Sequence, residues 1–124
     1  MIKNWEEFAL GPENRREQVH VTVNEKGEIM IGATASEMLG EQYDWAVLLY
    51  DRWNGIIGIA PIKERAANAF PIVKKSKGRH RVIRAGRFMR YYGIYMPQTT
   101  ACKAELDEEG CLVLDLRATR AVRK

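Results

Sequence analysis

From Val19 the chain alternates: Val19, Val21 and Val23 are apolar while His20, Thr22 and Asn24 are polar. Side chains of a strand point alternately to its two faces, so this is the pattern of a half-buried strand. Glu25-Lys26-Gly27 supplies turn residues and Glu28-Ile29-Met30-Ile31 resumes as a second strand. The period then changes. Ala35, Met38 and Leu39 fall at i, i+3 and i+4, the inward stripe of a short helix, with Gly40 placed to end it. Thr34 and Glu37 have the spacing of a capping box, which predicts the helix start. Trp45 to Tyr50 and Ile56 to Ile59 read as a hairpin around Asp51-Arg52-Trp53-Asn54-Gly55.

The same succession returns downstream. Ala69 to Lys75 and Arg79 to Ile83 read as two strands around Lys77-Gly78, Gly86 to Tyr92 as a helix closed by Gly93, and Thr100 to Leu106 with Cys111 to Leu116 as a hairpin. Gly27 recurs as Gly78, Gly40 as Gly93 and Gly55 as Gly110, at offsets that drift slowly and only near loops. The pattern predicts two tandem strand–strand–helix–hairpin units, 19–62 and 70–117, joined by a link at 63–69. An N-terminal arm (1–18) precedes them, short and helical or irregular, with Trp5 and Phe8 able to pack on the body. A basic tail (118–124) follows, and the whole is one compact domain. The competing reading is chance similarity between stretches of generic β-rich sequence.

A three-residue hairpin loop followed by a left-handed glycine predicts Leu49 opposite Ile57 and Val47 opposite Ile59. In the second hairpin it predicts Ala104 opposite Leu112 and Cys102 opposite Leu114. Both loops then bring apolar residues to one face. They also put Cys102 and Cys111 on opposite faces, where they cannot form a disulfide.

Charge changes the picture. Residues 1–72 hold seven Lys/Arg and eleven Asp/Glu, a net of −4, and residues 73–124 hold thirteen and five, a net of +8. Lys74 to Arg90 contains eight basic residues and no acidic one. Such a run suits phosphates, because Lys and Arg displace condensed counterions from a polyanion. It also suits a solvated face, or a patch that pairs with the acidic half of another copy. On the second helix Arg87, Arg90 and Tyr91 share one face and Phe88 and Tyr92 the other. Tyr91, Tyr92 and Tyr95 could stack on unpaired bases only if exposed; Tyr92 matches Leu39 of the first unit and by that reading is core. Trp53, at a hairpin tip, is an interface anchor or packs on the N-terminal arm.

The run Val21-Thr22-Val23-Asn24-Glu25-Lys26-Gly27-Glu28-Ile29-Met30-Ile31, followed by a helix ending Met38-Leu39-Gly40 and a Val/Leu/Ile hairpin, resembles the swapped-hairpin family of bacterial DNA-binding proteins, the AbrB/MazE/SpoVT group. Two such units in one chain are similar to the MraZ arrangement, in which the copies pack as a pseudo-dimer. The family has proline directly after its second strand; here Gly32 stands there, and Arg84 lies near the equivalent place in the second unit. The resemblance implies a mainly β fold with short helices, an intertwined pseudo-two-fold barrel. It further implies a transcription-regulator-like DNA-binding function and assembly into a homodimer or other homo-oligomer. The family's phosphate-contacting loop lies between the first two strands. The second unit matches it with Lys74, Lys75, Lys77, Arg79 and Arg81; the first offers Asn24, Glu25, Lys26 and Glu28, a poor phosphate loop.

Other chemistry finds little support in the residues. His80 matches the apolar Ile29 and reads as a core histidine. Glu41, Asp44 and Asp51 have no general acid/base spacing, no Cys-x-x-Cys or phosphate-loop motif is present, and no cofactor, metal or small-molecule substrate is expected. The N-terminus is acidic and the longest apolar stretch, Ile56 to Ile62, is too short to span a bilayer, so the expectation is a soluble cytoplasmic protein. The leading reading is a non-enzymatic DNA-binding protein (RNA being the other polyanion of that chemistry) whose phosphate contacts are Lys74, Lys75, Lys77, Arg79, Arg81, Arg84 and Arg87. The alternative is a protein-interaction or assembly module.

Overall fold

In a computed structural model, which describes residues 3–5, 19–75 and 78–122, nine strands and two short helices follow the alternation of the sequence. In order they are β1 (Val19–Val23), β2 (Glu28–Ile31), α1 (Ala33–Leu39), β3 (Trp45–Asp51), β4 (Ile56–Ile62), β5 (Ala69–Pro71), β6 (Val73–Lys74), β7 (Arg81–Arg84), α2 (Gly86–Tyr92), β8 (Thr100–Leu106) and β9 (Leu112–Ala121). All pair antiparallel in one sheet of order β5-β3-β4-β9-β8-β1-β2-β7-β6. The end strands β5 and β6 are separated by Ile72 alone. Pro71, which has no N–H, ends β5, and the Ile72 N–H donates to the Asp44 carbonyl at 2.8 Å, one step on in the register that sets Trp45 opposite Pro71. One chain segment thus touches both edges, and the sheet is a nearly closed barrel. The segment expected as a single strand from 69 to 75 is broken at Ile72, and the strand expected from Arg79 begins at Arg81.

The interior is filled by the apolar half of the alternation: Val21, Val23, Ile29, Ile31, Ile57, Ile59, Ile83, Cys102, Leu112 and Leu114. Each aliphatic side chain there contributes about 1.5–3 kcal/mol by leaving water. Ala35 and Leu39 of α1 and Phe88 and Met89 of α2 join the same cluster. The capping box does not form. Gly32 is the N-cap of α1 with no side-chain cap, and Thr34 lies inside the helix, because the first helical bond runs from Ser36 N–H to the Gly32 carbonyl at 2.8 Å.

Both hairpin glycines take positive φ, 64° at Gly55 and 86° at Gly110, as the turn reading requires. The registers differ from expectation. Tyr50 faces Ile57 and Leu48 faces Ile59, while Leu49 faces Gly58 and is 50% exposed. The Asp51 carboxylate accepts the Asn54 backbone N–H at 3.1 Å and its side-chain N–H at 2.7 Å. That turn keeps Asp51 in the ladder opposite Ile56, so the loop has one more residue and the inward face of β3 changes. In the second hairpin Ala104 faces Leu114 and Leu106 faces Leu112. Asp107 accepts the N–H groups of Glu109 (2.9 Å) and Cys111 (2.8 Å), lengthening that loop by two and preserving the faces. Cys102 faces Thr119 beyond a register shift, instead of Leu114, and both cysteines are free. Residues 118–121, expected as tail, continue β9.

Candidate nucleic-acid interface

The basic stretch does not form one continuous surface. β7 divides it. At the entry to β7 lie Lys74 and Lys75, exposed, with the Lys75 N–H donating to the His80 carbonyl at 2.9 Å, and Arg79. His80 is exposed there, which corrects its assignment to the core: residue 80 precedes the strand instead of pointing inward from it. Lys77 lies outside the described residues. At the exit of β7 lie Arg84 and, on α2, the exposed Arg87 and Arg90. Five residues separate Arg79 from Arg84, about 17 Å at strand rise.

Arg81 is not available to a phosphate. It is 6% exposed. Its guanidinium donates to Ser36 Oγ (2.6 Å) and to the carbonyls of Tyr43 (2.6 Å), Ser36 (3.0 Å) and Gly40 (3.1 Å). These lie in and just beyond the last turn of α1, where helical carbonyls lack partners and a cation complements the helix dipole. Burial pulls its pKa below the usual guanidinium value, and Glu41 and Asp44 pull it back up. Arg79 is half consumed: it pairs with Glu37 at 3.4 Å and Glu41 at 3.5 Å. Lys74, Arg79 and Arg81 also line one cavity of about 330 Å³ with Glu41 and Asp44, so their charge there is largely balanced. Arg84 is only 3.9 Å from Glu28 and remains well exposed. Each of these three ion pairs joins the basic second half to the acidic first half within one chain, so part of the charge asymmetry is answered internally.

The exit cluster gains a member the sequence reading set aside. The Ala85 N–H donates to the Gly27 carbonyl at 3.1 Å, and the β1–β2 turn sits so close to α2 that a Cβ on Gly86 would lie 2.9 Å from the Lys26 carbonyl. Lys26, from the acidic unit, thereby joins Arg84, Arg87 and Arg90. Among the described residues Lys26, Arg87 and Arg90 form no ion pair.

A second cationic place was not foreseen. Between the pairs Lys103–Asp115 and Cys102–Thr119, β9 carries Leu116, Arg117 and Ala118 with no partner on β8. This bulge re-aims side chains and opens a groove of about 330 Å³ lined by His20, Lys103, Arg117, Thr119 and Arg120. Only the register shift reveals it, and nothing local in the sequence signals that shift.

Aromatic side chains crowd the far end of α2. Trp53 is 87% exposed, Tyr91 75% and Tyr95 79%. Tyr92, matched to the core by its alignment with Leu39, is exposed too, though its ring rests on Tyr50 and Phe88 at 4.9 and 5.1 Å between centroids. The thiols are poor nucleophiles at neutral pH: burial, then Asp115, pushes Cys102 up to about 11, and burial, then Asp107 and Glu109, raises Cys111. No group of three metal-ligating side chains occurs among the described residues, and none of their helices is long and apolar enough to cross a membrane. No family model, curated protein or solved structure matches the chain.

Proposed function

We propose that the chain is a DNA-binding protein of the transcription-regulator kind, built from two copies of one β-β-α-β-β unit, as its resemblance to the AbrB/MazE/SpoVT group implies. The tandem reading is supported by the strand pairing. If β1 to β4 correspond to β5/β6, β7, β8 and β9, exchanging the copies turns β1–β2 into β6–β7, β1–β8 into β5–β3 and β3–β4 into β8–β9. It leaves β2–β7 and β4–β9 unchanged, so every pairing maps onto another or itself. Among the described residues the six positive-φ glycines also fall into three corresponding pairs, Gly27/Gly78, Gly40/Gly93 and Gly55/Gly110. Each copy lends its third strand to the first strand of the other, which is the intertwining the family implies.

DNA binding itself rests on one observation, the cluster of Lys26, Arg84, Arg87 and Arg90 around the start of α2, of which Arg84 alone among the described residues pairs with a carboxylate, Glu28 at 3.9 Å. Four cations, Arg84 at the end of β7, Arg87 and Arg90 on α2 and Lys26 on the adjoining turn, can reach phosphates from a rigid barrel. Binding to random-sequence duplex DNA, followed over a salt titration, tests the reading. About three or four contacts give a log–log slope near −3 to −4. Absence of binding at low salt, together with salt-dependent self-association, would favour the assembly module instead.

A further inference from the structure

We propose that the groove between the β3–β4 turn and α2 stacks unpaired nucleobases, so that the strand held by the neighbouring cations is single-stranded or locally unpaired. This rests on the nucleic-acid reading above and deepens it. The groove, open to solvent and about 590 Å³, is lined by Tyr50, Asp51, Arg52, Trp53 and Tyr92.

One wall is a ladder of rings. Tyr91 lies 4.8 Å from Tyr92 with planes 33° apart, Tyr92 lies 4.9 Å from Tyr50, and Phe88 stands edge-on to both Tyr92 and Tyr50. Phe88 is buried in the core, so the ladder is rooted at one end. The other wall is Trp53. Its carbonyl accepts an N–H from Arg117 at 2.6 Å, and its turn is pinned by Asp51, Asn54 and the left-handed Gly55. The turn that carries Trp53 and the helix that carries the ladder are therefore both in place before any ligand arrives. Aromatic rings left in water on a fixed frame forgo a large burial gain, and clustered exposure of that kind marks a binding surface.

Charge decides which occupant fits. The groove's carboxylate, Asp51, is held by Asn54, and its pKa is lowered chiefly by the Asn54 side-chain hydrogen bond. Arg52 lines the groove, and Arg87 and Arg90 stand on the helix that carries Tyr91 and Tyr92. Rings flanked by guanidinium groups match alternating bases and phosphates. A duplex offers the phosphates but hides the base faces, so it can use the cations and not the rings.

The experiment compares an oligothymidylate with an abasic strand of equal length, which carries the same phosphates without bases, on the full chain. Stacking is worth about 1–3 kcal/mol per base, so the base-bearing strand should bind at least about fivefold more tightly and quench tryptophan emission. Trp53→Ala and Tyr91→Ala, both at exposed positions, should abolish that preference while leaving the salt slope unchanged. Equal binding of the two strands by the wild type overturns the groove proposal and leaves phosphate binding standing. No binding of either strand, nor of duplex, overturns both. Concentration-dependent self-association that Trp53→Ala removes would make the groove a protein interface and overturn base stacking.

Discussion

Arg81 shows how far a residue's chemistry depends on what the fold puts around it. In the sequence it is one of eight cations in a run; in the structure it closes the C-terminal end of α1 by four hydrogen bonds. Its acceptors lie 38 to 45 residues away, beyond any local pattern. Arg81→Met should cost about 2–4 kcal/mol, because it strands buried carbonyls without a donor. Arg81→Lys should recover little of this, since an ammonium cannot reproduce the planar fork. The denaturant midpoint measures both, and the slope of DNA binding against salt should not change. Cys102 gives a pH-dependent counterpart. Below pH 9.0 its thiol is protonated folded and unfolded alike. As pH rises from 9.0 toward about 11 the unfolded chain loses a proton that the folded chain keeps, so stability falls by up to about 2–3 kcal/mol. Unfolding followed across that window should be flatter in Cys102→Ala, whatever that variant loses at neutral pH.

At the scale of elements the sequence is most readable where period and punctuation agree. β1, α2 and β8 have the limits that alternation, helical spacing and Gly93 assign them. It is least readable where a side chain rewrites a turn. Asp51 and Asp107 each accept hydrogen bonds from their own loops and shift the hairpin registers by one and two residues. Period alone carries no information about those bonds or about the β9 bulge. Two glycines with nearly equal φ separate conformation from contact. Gly110 (φ 86°) has nothing within 4 Å of an added Cβ, whereas on Gly27 (φ 82°) the Cβ would lie 2.7 Å from Gly86 Cα. Gly110→Ala should cost about 1 kcal/mol, the left-handed penalty alone. Gly27→Ala should cost at least about 1 kcal/mol more, because the β1–β2 turn must leave α2. Chemical unfolding of the two variants gives the difference directly, and equal losses would mean that the turn is not seated on the helix.

For the whole molecule the nucleic-acid proposal turns on which end of β7 offers unpaired cations. The sequence marks the run from Lys74 to Arg87 as a unit; the barrel divides it and treats the two parts differently. At the entry, Arg79 is shared by Glu37 and Glu41 and Arg81 is buried. At the exit, Arg87 and Arg90 meet no carboxylate among the described residues, and Lys26 arrives from the other half of the chain. Reversal of a cation already held by carboxylates removes no phosphate contact, because its guanidinium is turned to those partners. On the nucleic-acid proposal, reversal of an unpaired one removes a phosphate contact outright. Arg87→Glu with Arg90→Glu should therefore shallow the salt slope by about two and weaken binding to all sequences alike, since phosphate contacts carry no base information. Arg79→Glu should move the slope by well under one, and Lys26→Glu by about one although it lies in the acidic unit. All are exposed, so thermal midpoints should hold to within a few degrees. An Arg79 effect as large as that of the α2 pair would place the interface at the β6–β7 turn, and the division of the basic run by β7 would then have no bearing on binding.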